Sequence, residues 1–426
     1  MTPAKRHVGA LSHAPGHPRY HSRMSDPQTQ LIHHPYVPPA GFDAPQTGVH
    51  KASTVFFANV AAMRGRDWKN KAGYTYGLHG TPTTFTLEAR LATLEGGQQC
   101  VLVPSGLAAI ATVSLALLKT GDEVLIPSNV YGPSRTLAEG ELAGWGITHQ
   151  LYDPMDVADL AARIGARTKL VWLEAPGSVT MEFPDLVAQV RLCRERGVLC
   201  ALDNTWGAGL AFKPFDLGQG QAVDLSVHAL TKYPSGGGDV LMGSIVTCDE
   251  ALHLRVKGAH MRLGQGVGAN DAEALLRSLP SIALRYDAHD RAARELAGWL
   301  QQRPEVAQLL HPAFAGSPGH PHWLTLCGAA GDAAGGGRAA GIFSVILHER
   351  YSAAQVDAFV DALQLFRLGY SWGGPVSLVV PYDLAAMRQP WPAHLARGTL
   401  VRFSVGLEAV EDLQADLSRA LRQLQG

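Results

Sequence analysis

Short apolar runs alternate with amphipathic stretches through the middle of the chain. The runs predict six strands, at 100–103, 123–126, 169–174, 198–202, 224–229 and 244–246. Between them, apolar residues at helical spacing predict four helices, at 108–118, 134–142, 156–164 and 184–195. This alternation is typical of a mostly parallel sheet covered by helices, so we expect an α/β fold.

The flanking regions have different patterns. Residues 24–80 lack regular periodicity and are rich in Pro, Gly and His, which predicts an extended arm on the main body or a neighbouring subunit, with short helical pieces such as 60–69. From residue 86 a helical pattern begins, and Gly96 and Gly97 end it. Beyond residue 280, a helix (285–301), two strands (342–348, 400–405) and two amphipathic helices (353–366, 408–424) predict a smaller α+β domain.

The expected organisation has four parts. It consists of a disordered leader (1–23), the arm (24–80), the α/β domain (81–279) and the C-terminal α+β domain (280–426). A stretch rich in Gly and Ala, 328–337, predicts a flexible surface loop within the last part.

Charge and composition limit the classes of partner. The 426 residues have a formal net charge of −1, and the pI is about 7.0, so no general field attracts nucleic acid or an anionic membrane. Charged residues make up 17%, against roughly 25% in typical soluble domains. We therefore expect a small-molecule substrate, and burial of part of the surface against copies of the same chain.

The cysteines and the leader bear on localisation. The five cysteines include no C-x-x-C pair and predict buried, reduced residues of a cytoplasmic protein. The leader lacks the apolar centre of a secretory signal, and no apolar run is long enough to span a bilayer. Its histidines would suit a metal-binding tail, but a disordered leader, or sequence upstream of a start at Met24, is favoured. We predict no metal site.

Polar or glycine-containing segments follow five of the predicted strands. In open α/β sheets, ligands bind outside the carboxyl ends of the strands. We expect one site to be built from these five segments: 104–106, 128–132, 174–178, 203–206 and 231–232.

Lys232 and Asp203, each at the end of an apolar run, indicate the chemistry of this site. A pyridoxal phosphate (PLP) enzyme needs a lysine that binds the cofactor aldehyde and a carboxylate that keeps the pyridine nitrogen protonated. The ordinary alternatives are a solvated surface lysine and an aspartate in a turn or helix cap.

Other residues suit the same cofactor. The N–H groups of Gly106 and Leu107 open a predicted helix and, with the hydroxyl group of Thr231, suit a phosphate ester. Tyr131 suits stacking on a ring, and Arg402 suits a substrate carboxylate. Each residue also has an ordinary alternative: a plain turn for Gly106 and Leu107, and a β-branched strand residue for Thr231. For Tyr131 the alternative is core filling, and for Arg402 a structural ion pair.

Five segments together resemble the Cys/Met-metabolism class of PLP enzymes. They are DNTW at 203–206, TKY at 231–233, and the stretches 74–80, 94–97 and 398–407. The resemblance covers nearly the whole chain from about Thr29. It implies the aspartate aminotransferase-like fold, PLP-dependent transferase fold type I. Two more stretches, 174–182 and 370–374, resemble bacterial cystathionine β-lyases within that class, whereas γ-lyases and γ-synthases usually have an Asn-Pro loop and a Leu there.

The resemblance implies a role for each matching residue. For PLP, the implied ligands are Lys232 at the aldehyde, Asp203 at the pyridine nitrogen, Tyr131 on the ring, and Gly106, Leu107, Thr231 and, from the adjacent subunit, Tyr76 at the phosphate. For the substrate carboxylate they are Ser371 and Arg402, with Trp372 beside them.

The implied reaction is β-elimination of L-cystathionine to homocysteine, pyruvate and ammonia, in a homotetramer built from two active dimers. The alternatives are another trans-sulfuration enzyme (a γ-lyase, γ-synthase or sulfhydrylase) and a catalytically inactive binding protein of the same fold. Two positions depart from the class pattern. Leu78 stands where an arginine commonly contacts the phosphate, next to His79, and Gly237 and Gly238 replace a frequent His-Ser pair.

Overall fold

The computed structural model describes residues 27–34, 41–42, 44–69, 71, 73–328 and 337–425. The predicted leader and nearly all of the predicted loop at 328–337 lie outside the described residues.

A seven-stranded sheet forms the larger layer of the molecule. Its strands are β1 (Gln99–Val103), β2 (Glu123–Pro127), β3 (Thr148–Tyr152), β4 (Thr168–Glu174), β5 (Leu199–Asp203), β6 (Leu225–Ala229) and β7 (Gly243–Thr247). The order across the sheet is β1-β7-β6-β5-β4-β2-β3, and only β7 runs antiparallel to its neighbours. Strands such as β2 and β7 are buried along their whole length, as expected where helices cover both faces.

All six predicted strands of this sheet are confirmed, whereas β3 is missed. Its sequence, THQLY, is mostly polar, and the strand lies at the edge of the sheet with only Tyr152 fully buried. An edge strand that is partly exposed needs few apolar residues, so its hydrophobic signal is weak.

Helices pack on this sheet and continue through the rest of the chain. They are α1 (Pro27–Ile32), α2 (Val60–Arg64), α3 (Pro82–Glu95), α4 (Gly106–Leu117), α5 (Gly132–Leu137), α6 (Val157–Arg163), α7 (Leu186–Arg196), α8 (Glu250–Leu263), α9 (Ala269–Ser278), α10 (Ile282–Gln301), α11 (His320–Cys327), α12 (Ala353–Asp361), α13 (Leu384–Met387) and α14 (Val410–Ala420). The end of α3 is the one predicted, because Gly96 takes the left-handed conformation with φ 79°. Among the helices of the described residues, none is both long and apolar enough to cross a lipid bilayer.

A second sheet of five strands forms the smaller layer. Its strands are β8 (Val306–Leu310), β9 (Ile342–Leu347), β10 (Arg367–Leu368), β11 (Leu378–Tyr382) and β12 (Leu400–Ser404), in the order β10-β11-β12-β9-β8. Side chains of α10, α12 and α14 pack with β9 and β12 in a separate apolar core. The predicted strands β9 and β12 are confirmed, and the other three are additions.

Three sequence expectations are corrected. The helix predicted at 353–366 ends at Asp361, and the one predicted at 60–69 ends at Arg64, where Gly65 caps it. Four of the five cysteines are buried, but Cys248 is exposed because it follows the last residue of β7, outside the sheet.

Candidate active site

A cavity of about 580 Å³ opens at the carboxyl ends of the parallel strands. Residues at the carboxyl ends of five of these strands line it: Ser105 and Gly106 after β1, Tyr131 after β2, Glu174, Pro176 and Ser178 at the end of β4, Asp203, Thr205 and Trp206 at the end of β5, and Thr231 and Lys232 after β6. The structure thus brings the five predicted segments together. The wall also includes Gly238 to Leu241, before β7, and from the smaller layer Ile342 and Tyr370 to Trp372.

The start of α4 forms one end of the cavity. Ser105 caps the helix, because its hydroxyl oxygen accepts the N–H of Ala108 at 3.0 Å. The first N–H groups of a helix have no intrahelical acceptor, so those of Gly106 and Leu107 are available to an anion. A Cβ at Gly106 would lie 2.6 Å from Cβ of Ala229 on β6, so glycine is what lets the helix start lie against this strand.

Lys232 lies in the same cavity, just after β6. Its Nζ donates to Oγ of Ser371 at 3.1 Å and lies 4.4 Å from the ring centre of Trp372. Burial and the nearby charge of Arg402 lower the pKa of Lys232 to about 8, although Asp203 acts in the opposite direction. A substantial fraction of the amine is therefore neutral, and so nucleophilic, near neutral pH.

Asp203 is the last residue of β5. Its Oδ1 accepts the N–H of Thr205 at 3.0 Å, which fixes the carboxyl group at the cavity wall. Burial raises the pKa of Asp203, against the hydrogen bonds from Thr205 and the charges of His228 and Lys232. A cationic nitrogen in the cavity would reverse this effect and stabilise the carboxylate.

Tyr131 lies at the mouth and is 37% exposed. Its backbone N–H donates to Oε2 of Glu174 at 2.9 Å, which fixes the loop after β2 against the end of β4. Partial burial, followed by the charges of Asp203 and Glu174, raises the pKa of its phenol.

Arg402, in the centre of β12, is only 5% exposed and lies behind Ser178 and Trp372 of the cavity wall. Its Nη1 donates to the backbone oxygen of Ser178 at 2.9 Å, and its guanidinium lies 5.5 Å from the ring of Trp372 and 5.2 Å from that of Tyr382. No carboxylate of the described residues forms an ion pair with it. A buried guanidinium without a carboxylate is suited to bind one from a ligand.

Tyr76 is not among the cavity-lining residues of this chain. It is 45% exposed and contacts His79, whose Nδ1 bonds to Oγ1 of Thr75 at 2.7 Å. Burial, with the charges of Lys257 and Arg66, lowers the pKa of His79. Within this chain the surroundings of His79 thus disfavour its charged form.

Several residues of the site have no predicted role, above all Glu174, Ser178 and Thr205. Glu174 and Asp203 end neighbouring parallel strands and are direct partners in the strand register. The feature of the sequence that could have identified these residues is their common position at the ends of predicted strands.

These residues fit PLP at both ends of the cavity. The capped start of α4 suits a phosphate, Lys232 suits an aldehyde, and the partly desolvated Asp203 suits a protonated ring nitrogen. Such an arrangement on an α/β sheet defines a PLP-dependent enzyme.

Comparison with known proteins places the chain within this class. The model of the family described as "Cys/Met metabolism PLP-dependent enzyme" matches residues 28–422. The chain belongs to this family of PLP-dependent enzymes.

Individual relatives align over nearly their whole length. The chain is 38% identical to the cystathionine β-lyase of Bordetella avium, covering 91% of this chain and 94% of that protein. It is 35% identical to the cystathionine β-lyase of Escherichia coli, covering 88% of this chain and 93% of that protein. A solved cystathionine γ-lyase from Lactobacillus plantarum superposes with a TM-score of 0.81 at 28% identity, covering 94% of this chain and 99% of that one.

Proposed function

We propose that the chain is a carbon–sulfur lyase that converts L-cystathionine to homocysteine, pyruvate and ammonia by β-elimination. The observation that carries the proposal is that Lys232 and Asp203 line one cavity and that Arg402 contacts its wall at Ser178. The cystathionine β-lyases of B. avium and E. coli, at 38% and 35% identity, support this reaction over its γ-elimination relatives.

Lys232 and Asp203 carry the central roles. Bound PLP supplies an electron-accepting ring that stabilises negative charge at the substrate α-carbon. Lys232 would hold the cofactor through its amine, and the same amine, when free, would take the proton from the substrate α-carbon. Asp203 would keep the pyridine nitrogen protonated. Gly106, Leu107 and Thr231 would hold the phosphate.

The substrate carboxylate binds between the two layers of the chain. Arg402 supplies the guanidinium, Ser371 a hydroxyl group, and Trp372 the flat surface beside them. Because Arg402 is already fixed by the backbone oxygen of Ser178, little side-chain entropy is lost when the carboxylate binds.

Tyr131 would stack on the cofactor ring and assist in taking a proton from the substrate amine. Burial and the charges of Asp203 and Glu174 raise the pKa of its phenol, so within this chain the side chain is an uncharged aromatic ring. Proton acceptance requires the additional positive charges that cofactor and substrate bring to the cavity.

We further infer a cytoplasmic homotetramer of two active dimers, in which Tyr76 reaches the phosphate of the adjacent subunit. Exposed apolar side chains on the arm support a contact with another copy: Phe56 is 93% exposed, and Val60, Met63, Tyr74 and Tyr76 are also exposed.

The test is identification of the keto acid formed from L-cystathionine by the purified protein with PLP. We expect pyruvate from the wild type and no turnover from Lys232→Ala. Formation of 2-oxobutyrate would identify a γ-lyase instead. Absence of turnover, although PLP binds, would favour the catalytically inactive alternative.

A further inference from the structure

Glu174 is a buried carboxyl group inside the cavity to which the proposed reaction gives no role. It is 6% exposed, ends β4, and lies beside Asp203 in the strand register. Within the described part of the chain, no lysine, arginine or histidine forms an ion pair with it. A buried acid that only stabilised the fold would be expected to have such a partner.

The contacts of Glu174 are with two loops of the site. On one side its Oε2 accepts the backbone N–H of Tyr131 at 2.9 Å. On the other side Ser178 faces the same carboxyl group with its backbone N–H and its hydroxyl group. The backbone oxygen of Ser178 in turn accepts Nη1 of Arg402 at 2.9 Å.

Glu174 therefore connects the backbone of Tyr131 with Ser178, the residue whose backbone oxygen holds Arg402. We propose that Glu174 is a positioning residue that sets Tyr131 and Arg402 at the spacing an amino-acid substrate requires. The inference rests on the proposed function, because it assumes that Arg402 binds the α-carboxylate of such a substrate.

The electrostatic surroundings agree with this role. Burial and then the charge of Asp203 raise the pKa of Glu174 to about 8, against the hydrogen bonds from Tyr131 and Ser178. The other ionisable residues that line the cavity are Asp203, Asp239, Lys232, Tyr131 and Tyr370, and Arg402 contacts its wall through Ser178 and Trp372. With Glu174 uncharged near neutral pH, the cavity carries one negative charge fewer, which favours an anionic cofactor and substrate.

Two substitutions separate positioning from folding. Glu174→Ala removes the acceptor for both loops, whereas Glu174→Gln keeps a carbonyl acceptor for Tyr131 and the uncharged state. The matched control is Glu123→Gln, at the opposite end of the same sheet. Glu123 is also a buried carboxylate, and it accepts hydrogen bonds from Thr168 and Gln150 at 2.9 Å.

The probe is glycine, which has the amino and carboxylate groups of a substrate but no leaving group. Its dissociation constant for the PLP-loaded protein is followed by the visible absorbance of the cofactor, and PLP affinity is measured separately by titrating the apoprotein. We expect Glu174→Ala to weaken glycine binding about tenfold or more, and Glu174→Gln to stay within about threefold at neutral pH. Glu123→Gln should leave both constants unchanged.

Raising the pH provides a second readout. In the wild type, glycine binding should weaken above about pH 8, when Glu174 gains charge beside Asp203. In Glu174→Gln, glycine binding should lack the weakening that ionisation of Glu174 causes.

Two results would overturn the inference: glycine binding by Glu174→Ala equal to that of the wild type, or a loss matched by Glu123→Gln. If Glu174→Ala does not fold, a pH dependence of Glu174→Gln identical to that of the wild type would overturn it. Failure of the proposed function looks different, because the wild type would then yield no pyruvate while the variants still differed in glycine binding.

Discussion

At the scale of single residues, burial decides the chemistry of the candidate site. Lys232 and Arg402 are both cations facing a cavity without an ion-pair partner among the described residues, and their roles differ because of their side chains. An ammonium group can lose its proton when desolvated, whereas a guanidinium keeps its charge and offers a planar fork to a carboxylate.

The lowered pKa of Lys232 has a kinetic consequence. Only the neutral amine attacks an aldehyde, so the rate of covalent PLP capture by the apoprotein should rise about tenfold per pH unit below pH 8 and level off above it. Stopped-flow absorbance between about pH 6 and pH 9.5 measures this rate. A rate still rising tenfold per unit above pH 9 would indicate an ordinary solvated lysine.

Arg402→Lys tests the carboxylate site. The substitution keeps a positive charge but loses the fork, so we expect KM for the substrate to increase about tenfold to a hundredfold, or about 1.4–2.8 kcal/mol. Steady-state kinetics of pyruvate formation measures the change. The control is Arg367→Lys on the exposed strand β10 of the same sheet, which should leave KM unaltered. Equal effects of the two substitutions would contradict the role of Arg402.

At the scale of elements, the junction between β1 and α4 sets the phosphate end of the cavity. Ser105 satisfies the N–H of Ala108, and glycine at 106 lets the helix start lie against β6. The position of the N–H donors thus depends on contact between two elements that are far apart in the chain.

Gly106→Ala should disrupt this junction. The new methyl group would meet Cβ of Ala229 at 2.6 Å, so we expect a loss of about 1–3 kcal/mol in stability and a PLP affinity at least tenfold lower. Titration of the apoprotein and urea unfolding measure the two effects. The control is Gly144→Ala, where nothing lies within 4 Å of the added Cβ. PLP affinity unchanged in Gly106→Ala would refute the argument.

At the scale of the whole molecule, Glu182 ties the loop after β4 to the segment after α13. It is fully buried and accepts hydrogen bonds from Asn129 and Arg388, both at 2.8 Å, and from Thr180 at 2.6 Å. Burial acts to raise the pKa of Glu182, but the hydrogen bond from His394 and the charge of Arg388 lower it to about 2. Because this value lies below the ordinary one, the stabilisation exists above about pH 4.5 and is lost as the pH falls toward 2.

Removing one side chain of the Glu182–Arg388 ion pair should destabilise the protein more than replacing both side chains together. Glu182→Gln or Arg388→Met alone should each cost about 3–5 kcal/mol, because a buried charge loses its partner. The double variant should cost less than the sum of the two. Urea unfolding of the four proteins at neutral pH measures the coupling. Strictly additive effects would show that the two side chains act independently.

Much of the fold followed from local pattern. The six buried strands of the large sheet and the C-terminal end of α3 were predictable, because buried apolar runs and a C-cap glycine act over a few residues. The start of α3, at Pro82 after the Thr81 cap, lies four residues before the predicted one. Strands β3, β8 and β11 were not, since edge position and pairing with distant strands stabilise them more than their own sequences do.

The sequence alone determined the strand-end positions of Lys232 and Asp203, because local hydrophobic pattern defines them. It also determined the family resemblance, because short motifs carry it. Only the tertiary structure decided that Arg402 is buried without a carboxylate, that Glu174 contacts Tyr131, and that His79 is turned toward Thr75. These features depend on which side chains from distant segments meet and how much water they exclude. Burial and contact of this kind arise only when the two sheets pack together.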